Sequence, residues 1–204
     1  MHSKNLTYQN LLKYSNNVYS QNGEDGIIRE IIKRLSLNKN EQHWCVEFGA
    51  WDGIYLSNTF NLVKQGWKAI YIEGDVERFK ALLKTSAIYR NIKPVNVFIS
   101  KDKNSNKSLD NILKNNQVPQ SFDLLSIDID SFDLEVWESL KAYMPKIVII
   151  EINSSYLPGI INWHSKKYKK GNGNSFSATL IVAKEKGYKL VCHTGNMIFI
   201  REDL

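Results

Sequence analysis

The stretch WCVEFGAWDG, from Trp44 to Gly53, decides the fold that the sequence predicts. A short apolar run carries an acid near its end, Glu47, and two glycines follow within six residues. Glycine lets a backbone approach a ligand closely where a strand turns toward a helix. The dinucleotide spacing G-x-G-x-x-G is not met, because Trp51 stands in the place of its middle glycine. The stretch therefore predicts a ligand-binding strand end without a pyrophosphate cradle.

Carboxylates lie at the ends of four predicted strands. In an open parallel sheet, ligands bind in the crevice outside the carboxyl ends of the strands. One acid after a strand is often an ordinary surface residue, but several acids placed together need a cation, a donor network or raised pKa values. The strands are predicted at Trp44–Phe48, Trp67–Ile72, Phe122–Ile127 and Lys146–Ile150, and their acids are Glu47, Glu73, Asp128 and Glu151.

Helices alternate with these strands along the chain. This order predicts βαβ units, and nearly continuous apolar strands such as KIVII predict a parallel sheet that is covered on both faces. The 204 residues are enough for one domain with a sizeable core. Helices are predicted at Asn22–Leu35, Ser57–Lys64, Val76–Lys84, Leu109–Lys114, Leu134–Tyr143 and Phe176–Lys186, a further strand at Pro94–Ile99, and a closing hairpin at Tyr188–Cys192 and Met197–Ile200.

Composition places the chain among cytoplasmic globular proteins. Apolar residues make up 43% of the chain and charged residues 24%, both ordinary values. No segment approaches the roughly 20 apolar residues that span a bilayer, and we see no apolar secretory segment near the N-terminus. Cys45 and Cys192 each lie in an apolar run, so we expect free buried thiols.

The net charge of +6 does not by itself indicate a nucleic-acid partner. Specific phosphate and base contacts favour Arg, whose guanidinium binds in a bidentate manner. Here most of the positive charge is Lys, spread along the chain. We therefore expect a small-molecule substrate and no nucleic acid, and a homo-oligomer stays open.

The position of Glu73 favours one cofactor. An acid at the end of the second strand of such a sheet typically accepts hydrogen bonds from the ribose hydroxyls of an adenosine. Because the first loop lacks a pyrophosphate cradle, Glu73 favours S-adenosylmethionine over NAD.

Five segments together resemble the FkbM-type class I S-adenosylmethionine-dependent methyltransferases. The resemblance covers Tyr19 to Leu204 and implies a Rossmann-like α/β fold. That fold has a seven-stranded, mostly parallel sheet with a C-terminal antiparallel hairpin strand and helices on both faces. It implies one methyltransferase domain over residues 1–204, with residues 1–35 as a helical extension on the cofactor side. The segments are YSQNGEDGII, VEFGAWDG, AIYIEGD, DLLSIDIDSFD and GYKLVCHTGNMIFI.

The resemblance also implies the cofactor contacts. The loop after the first strand would lie near the methionine part, Glu73 would hold the ribose, and the SQNGED segment would close over the methionine end. Acids in that segment are equally expected at a helix N-terminus, where the helix dipole favours them. The implied cofactor residues are Gln21, Glu24, Asp25, Glu47, Gly49, Ala50, Asp52, Gly53, Glu73, Gly74, Ser100 and Asp128.

The acids after the fourth and fifth strands are similar to those of sugar O-methyltransferases that use Mg²⁺. Asp128, Asp130 and Glu151 would be the ligands, since Mg²⁺ prefers oxygen ligands. Ile152 replaces the second acid of the usual pair, so a metal stays open, and Asn153 would supply an oxygen instead. The candidates for a catalytic base are Asp128, Asp130, His164 and His193.

The stretch NWHSKKYKKGNGNS, from Asn162 to Ser175, is the candidate substrate loop. Its lysines would meet phosphates and its aromatic rings would stack on a sugar or base, although a charged run is more often a solvated loop. The substrate residues are Trp163, Lys167, Tyr168 and Lys170.

The resulting hypothesis is an O-methyltransferase that acts on a sugar hydroxyl, of a nucleotide-activated or surface-glycan precursor sugar. The alternatives are methylation of an amide or lipid, and a non-catalytic binding module with the same fold. A nucleic-acid methyltransferase would carry an Asn/Asp-Pro-Pro-aromatic motif after the fourth strand, where this chain has DIDSFD.

Overall fold

The structure is a computed structural model that describes residues 10–37, 41–164 and 173–204. After a short 3₁₀ helix at Leu11–Tyr14, strands and helices alternate as the sequence predicts. The longest described helix, Val76–Ile88, has 13 residues, and no described helix is long and apolar enough to cross a membrane. The elements are α1 (Glu24–Arg34), β1 (Trp44–Phe48), α2 (Phe60–Lys64), β2 (Lys68–Glu73), α3 (Val76–Ile88), β3 (Ile92–Asn96), α4 (Leu109–Asn115), β4 (Leu124–Ile127), α5 (Asp133–Ser139), β5 (Ile147–Glu151), α6 (Phe176–Glu185), β6 (Tyr188–His193) and β7 (Asn196–Arg201).

All seven strands form one sheet in the order β3-β2-β1-β4-β5-β7-β6. The pairs that β1 to β5 form among themselves are parallel, and β7 runs antiparallel between β5 and β6. The predicted mostly parallel sheet with a reversed hairpin strand is confirmed. The strand order reverses between β1 and β4, and this switch point is where an open α/β sheet binds ligands.

Two apolar cores cover the two faces of the sheet. Alternating residues of β1 divide between them: Val46 and Phe48 belong to one core and Cys45 to the other. The first core includes buried residues of α4, α5 and α6, and the second includes buried residues of α1, α2 and α3. Because the interior strands β1, β2, β4, β5 and β7 are buried on both sides, their residues are apolar almost throughout. The predicted helices on both faces are confirmed.

The third strand differs from its predicted bounds of Pro94–Ile99. The observed strand is shifted toward the N-terminus, because the ladder with β2 joins Ala69 to Ile92 and ends where Glu73 faces Asn96. Proline is tolerated because β3 is an edge strand. Phe98, which lies beyond the ladder, is 72% exposed.

Helices α1, α2 and α5 are shorter than predicted. The helix predicted to run to Tyr143 ends at Ser139, because Leu140 is extended and the backbone N–H groups of the next two residues bind the Asp110 carboxylate. The helix predicted to begin at Ser57 begins at Phe60. The three residues before this helix, Ser57, Asn58 and Thr59, form a turn instead, and each of them donates a hydrogen bond to the Glu47 carboxylate.

Candidate active site

Gly49 directly follows β1 at the switch point and packs against the residue that follows β4. Its φ is +77°, and a Cβ atom placed there would lie 1.6 Å from the carbonyl oxygen of Asp128. The backbone N–H groups of Gly49 and Ala50 both donate to the carbonyl of Ile72 at the end of β2. Gly49 thus joins the carboxyl ends of three neighbouring strands.

We predict that Gly49→Ala destabilises the fold strongly. A left-handed residue with a side chain costs about 1–2 kcal/mol, and overlap with backbone adds about 1–3 kcal/mol. Gly66→Ala is the matched control, because Gly66 also has a positive φ of +93° but has no atom within 4 Å of the added Cβ. Urea unfolding should show a loss several times larger for Gly49→Ala, and equal losses would contradict the close approach.

Glu73, the last residue of β2, is 5% exposed and accepts one backbone N–H at each carboxylate oxygen. Oε2 accepts from Trp51 at 2.9 Å and Oε1 accepts from Asp75 at 2.8 Å. An ionised carboxylate offers about four acceptor positions. Two therefore remain for ligand hydroxyl groups after the protein donors are satisfied.

The other predicted residues of the cofactor loops lie around this corner. Asp52 Oδ1 accepts the N–H groups of Ile54 and Tyr55 at 2.8 and 2.7 Å, which fixes the loop after β1. Gly53 packs on Leu82 and Tyr71, and the ring of Phe98 fills the space beside Gly74. Ser100 Oγ accepts from the N–H of Asp102 at 3.1 Å in the loop after β3.

Glu47 is buried and bound by the turn that precedes α2. Its carboxylate accepts from the hydroxyl of Ser57 at 2.7 Å, from the hydroxyl of Thr59 and from the N–H of Asn58 at 3.3 Å. Burial raises the pKa of this carboxyl group, and these hydrogen bonds oppose the rise. Glu47 therefore anchors the turn, and a contact with the methionine part stays a prediction.

The two acids of the SQNGED segment bind the protein itself. Glu24 is fully buried and accepts from the Thr194 hydroxyl at 2.6 Å and the Asn196 amide at 3.2 Å, in the hairpin of β6 and β7. Asp25 Oδ2 accepts three successive backbone N–H groups, those of residues 18–20. Both acids position the segment, while Gln21 lines a cavity. Their contacts with a cofactor stay predictions.

A cavity of about 540 Å³ opens at the carboxyl edge of the sheet. It is bounded by the ends of β4 and β5, the start of β7 and the segment before α1. The lining residues are Gln21, Asn22, Asp128, Asp130, Asp133, Glu151, Ile152, Asn153, Ser154, Gly173, Gly195 and Asn196.

Three of these acids form a cluster. One ligand oxygen from each of Asp128, Asp130 and Glu151 lies within 4.8 Å of the others. Burial and the charges of Asp133 and Asp130 raise the pKa of Asp128 to about 6, and a hydrogen bond from Glu151 opposes the rise. Burial and the charge of Asp128 raise the pKa of Glu151 to about 8. At neutral pH the Asp128–Glu151 pair therefore shares one proton.

The fourth acid, Asp133, has a different role. It is 2% exposed and accepts the backbone N–H groups of Ile129 at 2.7 Å and Ser131 at 2.9 Å. These bonds hold the turn in which Asp130 has a φ of +55°. Asp133 thus shapes the loop that presents Asp128 and Asp130.

The raised pKa of Glu151 makes a prediction about stability. A carboxyl group whose pKa is higher in the folded than in the unfolded state destabilises the fold as the pH rises from about 4.5 to about 8. Above pH 8 the raised pKa lowers the free energy of unfolding by about 2 kcal/mol, after a discount for solvent screening. In the presence of EDTA, Glu151→Gln should raise Tm at pH 8.5 by about 4–8 °C and leave it unchanged near pH 4.5. An equal change at both pH values would contradict the shift.

The two candidate histidines contact aromatic rings. His164 Nδ1 accepts the N–H of Gly173 at 3.2 Å, and its ring meets the ring of Phe132 edge-on at 4.4 Å. His193 is exposed and contacts the ring of Phe176 at 5.5 Å. Neither histidine is among the described residues that line the cavity.

The candidate substrate loop is described only in part. Trp163 is half-buried and packs against the core on the α4–α6 face of the sheet. Lys167, Tyr168 and Lys170 lie outside the described residues.

One wall of the cavity was not predicted from the sequence. Asn22, Gly195 and Asn196 line it, and Asn196 pairs with Glu151 across the antiparallel ladder. The signal was present in the predicted hairpin, because its reversed strand must begin at the edge where β5 ends. A residue at the start of that strand therefore meets the last residue of β5.

No protein-family model matches this chain, and no curated protein matches it. Among solved structures, the chain is similar to the CurJ carbon methyltransferase, with a TM-score of 0.58 and 9% identity over 93% of this chain and 56% of that one. It is also similar to the CMeT domain of the citrinin polyketide synthase, with a TM-score of 0.55 and 12% identity over 91% and 55% of the two chains. This chain thus spans about half the length of both.

A third similar structure is closer in length. It is a candidate caffeoyl-CoA O-methyltransferase from Staphylococcus aureus, with a TM-score of 0.54 and 12% identity over 93% of this chain and 87% of that one. At such identities the likeness concerns the fold. The chain has the Rossmann-like fold of class I S-adenosylmethionine-dependent methyltransferases.

Proposed function

We propose that this protein is an S-adenosylmethionine-dependent O-methyltransferase of the FkbM type, which methylates a sugar hydroxyl. The observation that carries the proposal is the Asp128–Glu151 pair, two acids with oxygens within 4.8 Å of each other at the wall of a cavity beside the switch point of a methyltransferase fold. A base at this place is what transfer to a hydroxyl group requires.

The residues fit the cofactor on two grounds. Glu73 keeps free acceptor positions for the two ribose hydroxyls after binding two backbone donors. The sulfonium of the cofactor is a cation, and the carboxylates of Asp128, Asp130 and Glu151 favour a positive charge at the cavity wall. The adenosine would then lie toward β2 and the methyl group toward β4.

The cofactor, when bound, supplies a methyl group that leaves the sulfur and bonds to the acceptor oxygen. The protein holds that oxygen in the cavity, and placement alone supplies much of the rate. As the new bond forms, the Asp128–Glu151 pair in its doubly ionised form accepts the hydroxyl proton. The raised pKa values bring this base into the neutral range, where proton transfer is efficient.

The lining of the cavity supports a sugar as acceptor. Nine of its twelve lining residues carry polar side chains, and Ile152 is the one apolar side chain among those described. Carboxylates and amides match the many donors and acceptors of a sugar ring. The four acids in the lining disfavour phosphate inside the cavity, so the phosphates of a nucleotide-activated or glycan-precursor sugar would lie outside it.

A second role for the acid cluster is binding of Mg²⁺. Asp128, Asp130 and Glu151 bring three oxygen ligands within 4.8 Å of one another beside a cavity with room for waters. Mg²⁺ prefers such an arrangement of a few carboxylates and several waters. Titration of Mg²⁺ into the wild-type protein and Asp130→Asn separates this role from that of a metal-free base.

Calorimetric titration of S-adenosylhomocysteine, with and without Mg²⁺, tests the proposal first. Binding in the micromolar range is expected, followed by transfer of labelled methyl groups to nucleotide sugars. No binding under either condition would contradict the function. Binding without turnover on sugars would favour an amide or lipid acceptor, or a non-catalytic module with this fold.

A further inference from the structure

Three exposed aliphatic side chains follow the cavity residues of β5. Leu157 is 75% exposed, Ile160 is 49% exposed and Ile161 is 60% exposed. Asn153 and Ser154, which precede them in the chain, line the cavity. An apolar surface of this kind on a globular protein marks an interaction site when its members are contiguous.

The segment is anchored on the first turn of α6. The N–H of Gly159 donates to Ser177 Oγ at 2.8 Å, and the N–H of Asn162 donates to Ser175 Oγ at 3.0 Å. Ile181, which is 39% exposed, lies one turn beyond Ser177 on the same helix face. We call Leu157, Ile160, Ile161 and Ile181 the aliphatic patch.

Three backbone N–H groups of this segment are hydrogen-bonded within the protein. The N–H of Ile160 donates to the carbonyl of Leu157 at 3.1 Å, so the N–H groups of residues 159, 160 and 162 all have partners within the protein. An unpaired N–H group in contact with hydrocarbon costs several kcal/mol, on the order given for membrane interiors. Internal pairing removes that cost for these three N–H groups at the lipid interface.

The composition of the patch favours lipid over a protein partner. All four members are Leu or Ile. Protein interfaces are held mainly by Trp, Tyr and Arg, and Leu is under-represented among their strongest contacts. Aliphatic side chains, in contrast, enter the boundary between headgroups and acyl chains with a gain roughly proportional to their buried area.

A lysine on the same face of α6 favours an anionic surface. Lys184 is exposed and continues the helix face of Ser177 and Ile181, because the spacings are four and three residues. The sequence that follows Ile161 carries Lys166, Lys167, Lys169 and Lys170, and the whole chain has a net charge of +6. Each lysine close to an anionic bilayer adds about 1 kcal/mol of attraction.

We propose that the aliphatic patch docks this protein on the surface of an anionic lipid bilayer. Insertion of the patch, with Lys184 at the headgroups, would bring the cavity beside the membrane, where it meets acceptors held at that surface. The docking needs no methyl transfer, so it can be tested independently of the proposed function.

Flotation with vesicles tests the proposal. The full chain is mixed with vesicles of phosphatidylglycerol and phosphatidylcholine in equal amounts, or of phosphatidylcholine alone. Wild-type protein should float with the anionic vesicles, and Leu157→Ser with Ile161→Ser should weaken that binding at least about tenfold. Lys184→Gln, a second and milder variant, should weaken it about fivefold.

Ile88→Ser is the matched control, because Ile88 at the end of α3 is also 75% exposed but belongs to another surface. It should bind vesicles as the wild type does. The proposal is overturned if the wild type floats with neither vesicle, if the Ile88 variant loses binding equally, or if sedimentation shows a dimer that the patch substitutions dissociate. The last result would assign the patch to a second copy of the chain.

Discussion

Glu73→Ala should weaken the binding of S-adenosylhomocysteine by about 100-fold or more. Each hydrogen bond to a charged group contributes about 1.5–3 kcal/mol, and the carboxylate is expected to accept one from each ribose hydroxyl. Calorimetric titration measures the loss directly. The free energy of unfolding should also fall, because the substitution leaves the N–H groups of Trp51 and Asp75 without their acceptor.

Asp110→Ala controls for that second effect. The Asp110 carboxylate also accepts two backbone N–H groups, one at each oxygen, from Lys141 and Ala142 at 2.9 Å. It lies in the first turn of α4 and does not line the cavity. We expect Asp110→Ala to lower stability and leave the affinity unchanged. If Glu73→Ala weakened binding no more than this control, Glu73 would be a structural residue of the loop after β1.

Much of the fold was predictable because local patterns and chain order agree. Apolar runs such as KIVII specify strands that are buried on both faces, and β5 was found one residue from its predicted bounds, at Ile147–Glu151. The acids Glu73 and Glu151 were predicted at strand ends, and each is the last residue of its strand. Parallel strands bring such residues to one edge of the sheet, so their proximity follows from topology.

The partners of individual acids were not predictable in the same way. Glu24 binds Thr194 and Asn196, which lie 170 and 172 residues away in the chain. Glu47 is bound by a turn that periodicity assigned to a helix. Contacts of this kind depend on how elements pack, whereas periodicity reports only the element in which a residue lies. The sequence therefore predicts the place of the site better than the role of each acid.

The bounds of β3 show the same limit at a strand edge. The apolar residues after Pro94 predicted a strand to Ile99, but an edge strand ends where its only neighbour ends. β2 ends at Glu73, and the Asn96 side chain donates to the carbonyl of that residue at 2.8 Å. The pairing partner, which local propensity does not report, decides the boundary.

Glu151→Gln should lower kcat for methyl transfer by about 10²–10⁴-fold, the usual contribution of a general base. The affinity for S-adenosylhomocysteine should stay within about twofold, because hydrogen-bonding capacity at the cavity wall is largely retained. Glu138→Gln, on the exposed side of α5, is the control and should transfer methyl groups at the wild-type rate. If Glu151→Gln kept full activity, Glu151 would not be the base of the proposed mechanism.

The pH dependence of the same reaction distinguishes the two roles of the acid cluster. The Asp128–Glu151 pair acts as a base only after it loses its shared proton, so kcat should rise with pH toward about 8 and level off at higher pH. Asp128→Asn removes a charge that raises the pKa of Glu151, and the rise should then move to lower pH. If EDTA abolishes transfer, and Asp130→Asn is as damaging as Glu151→Gln, the cluster binds Mg²⁺ and the metal-free base is wrong.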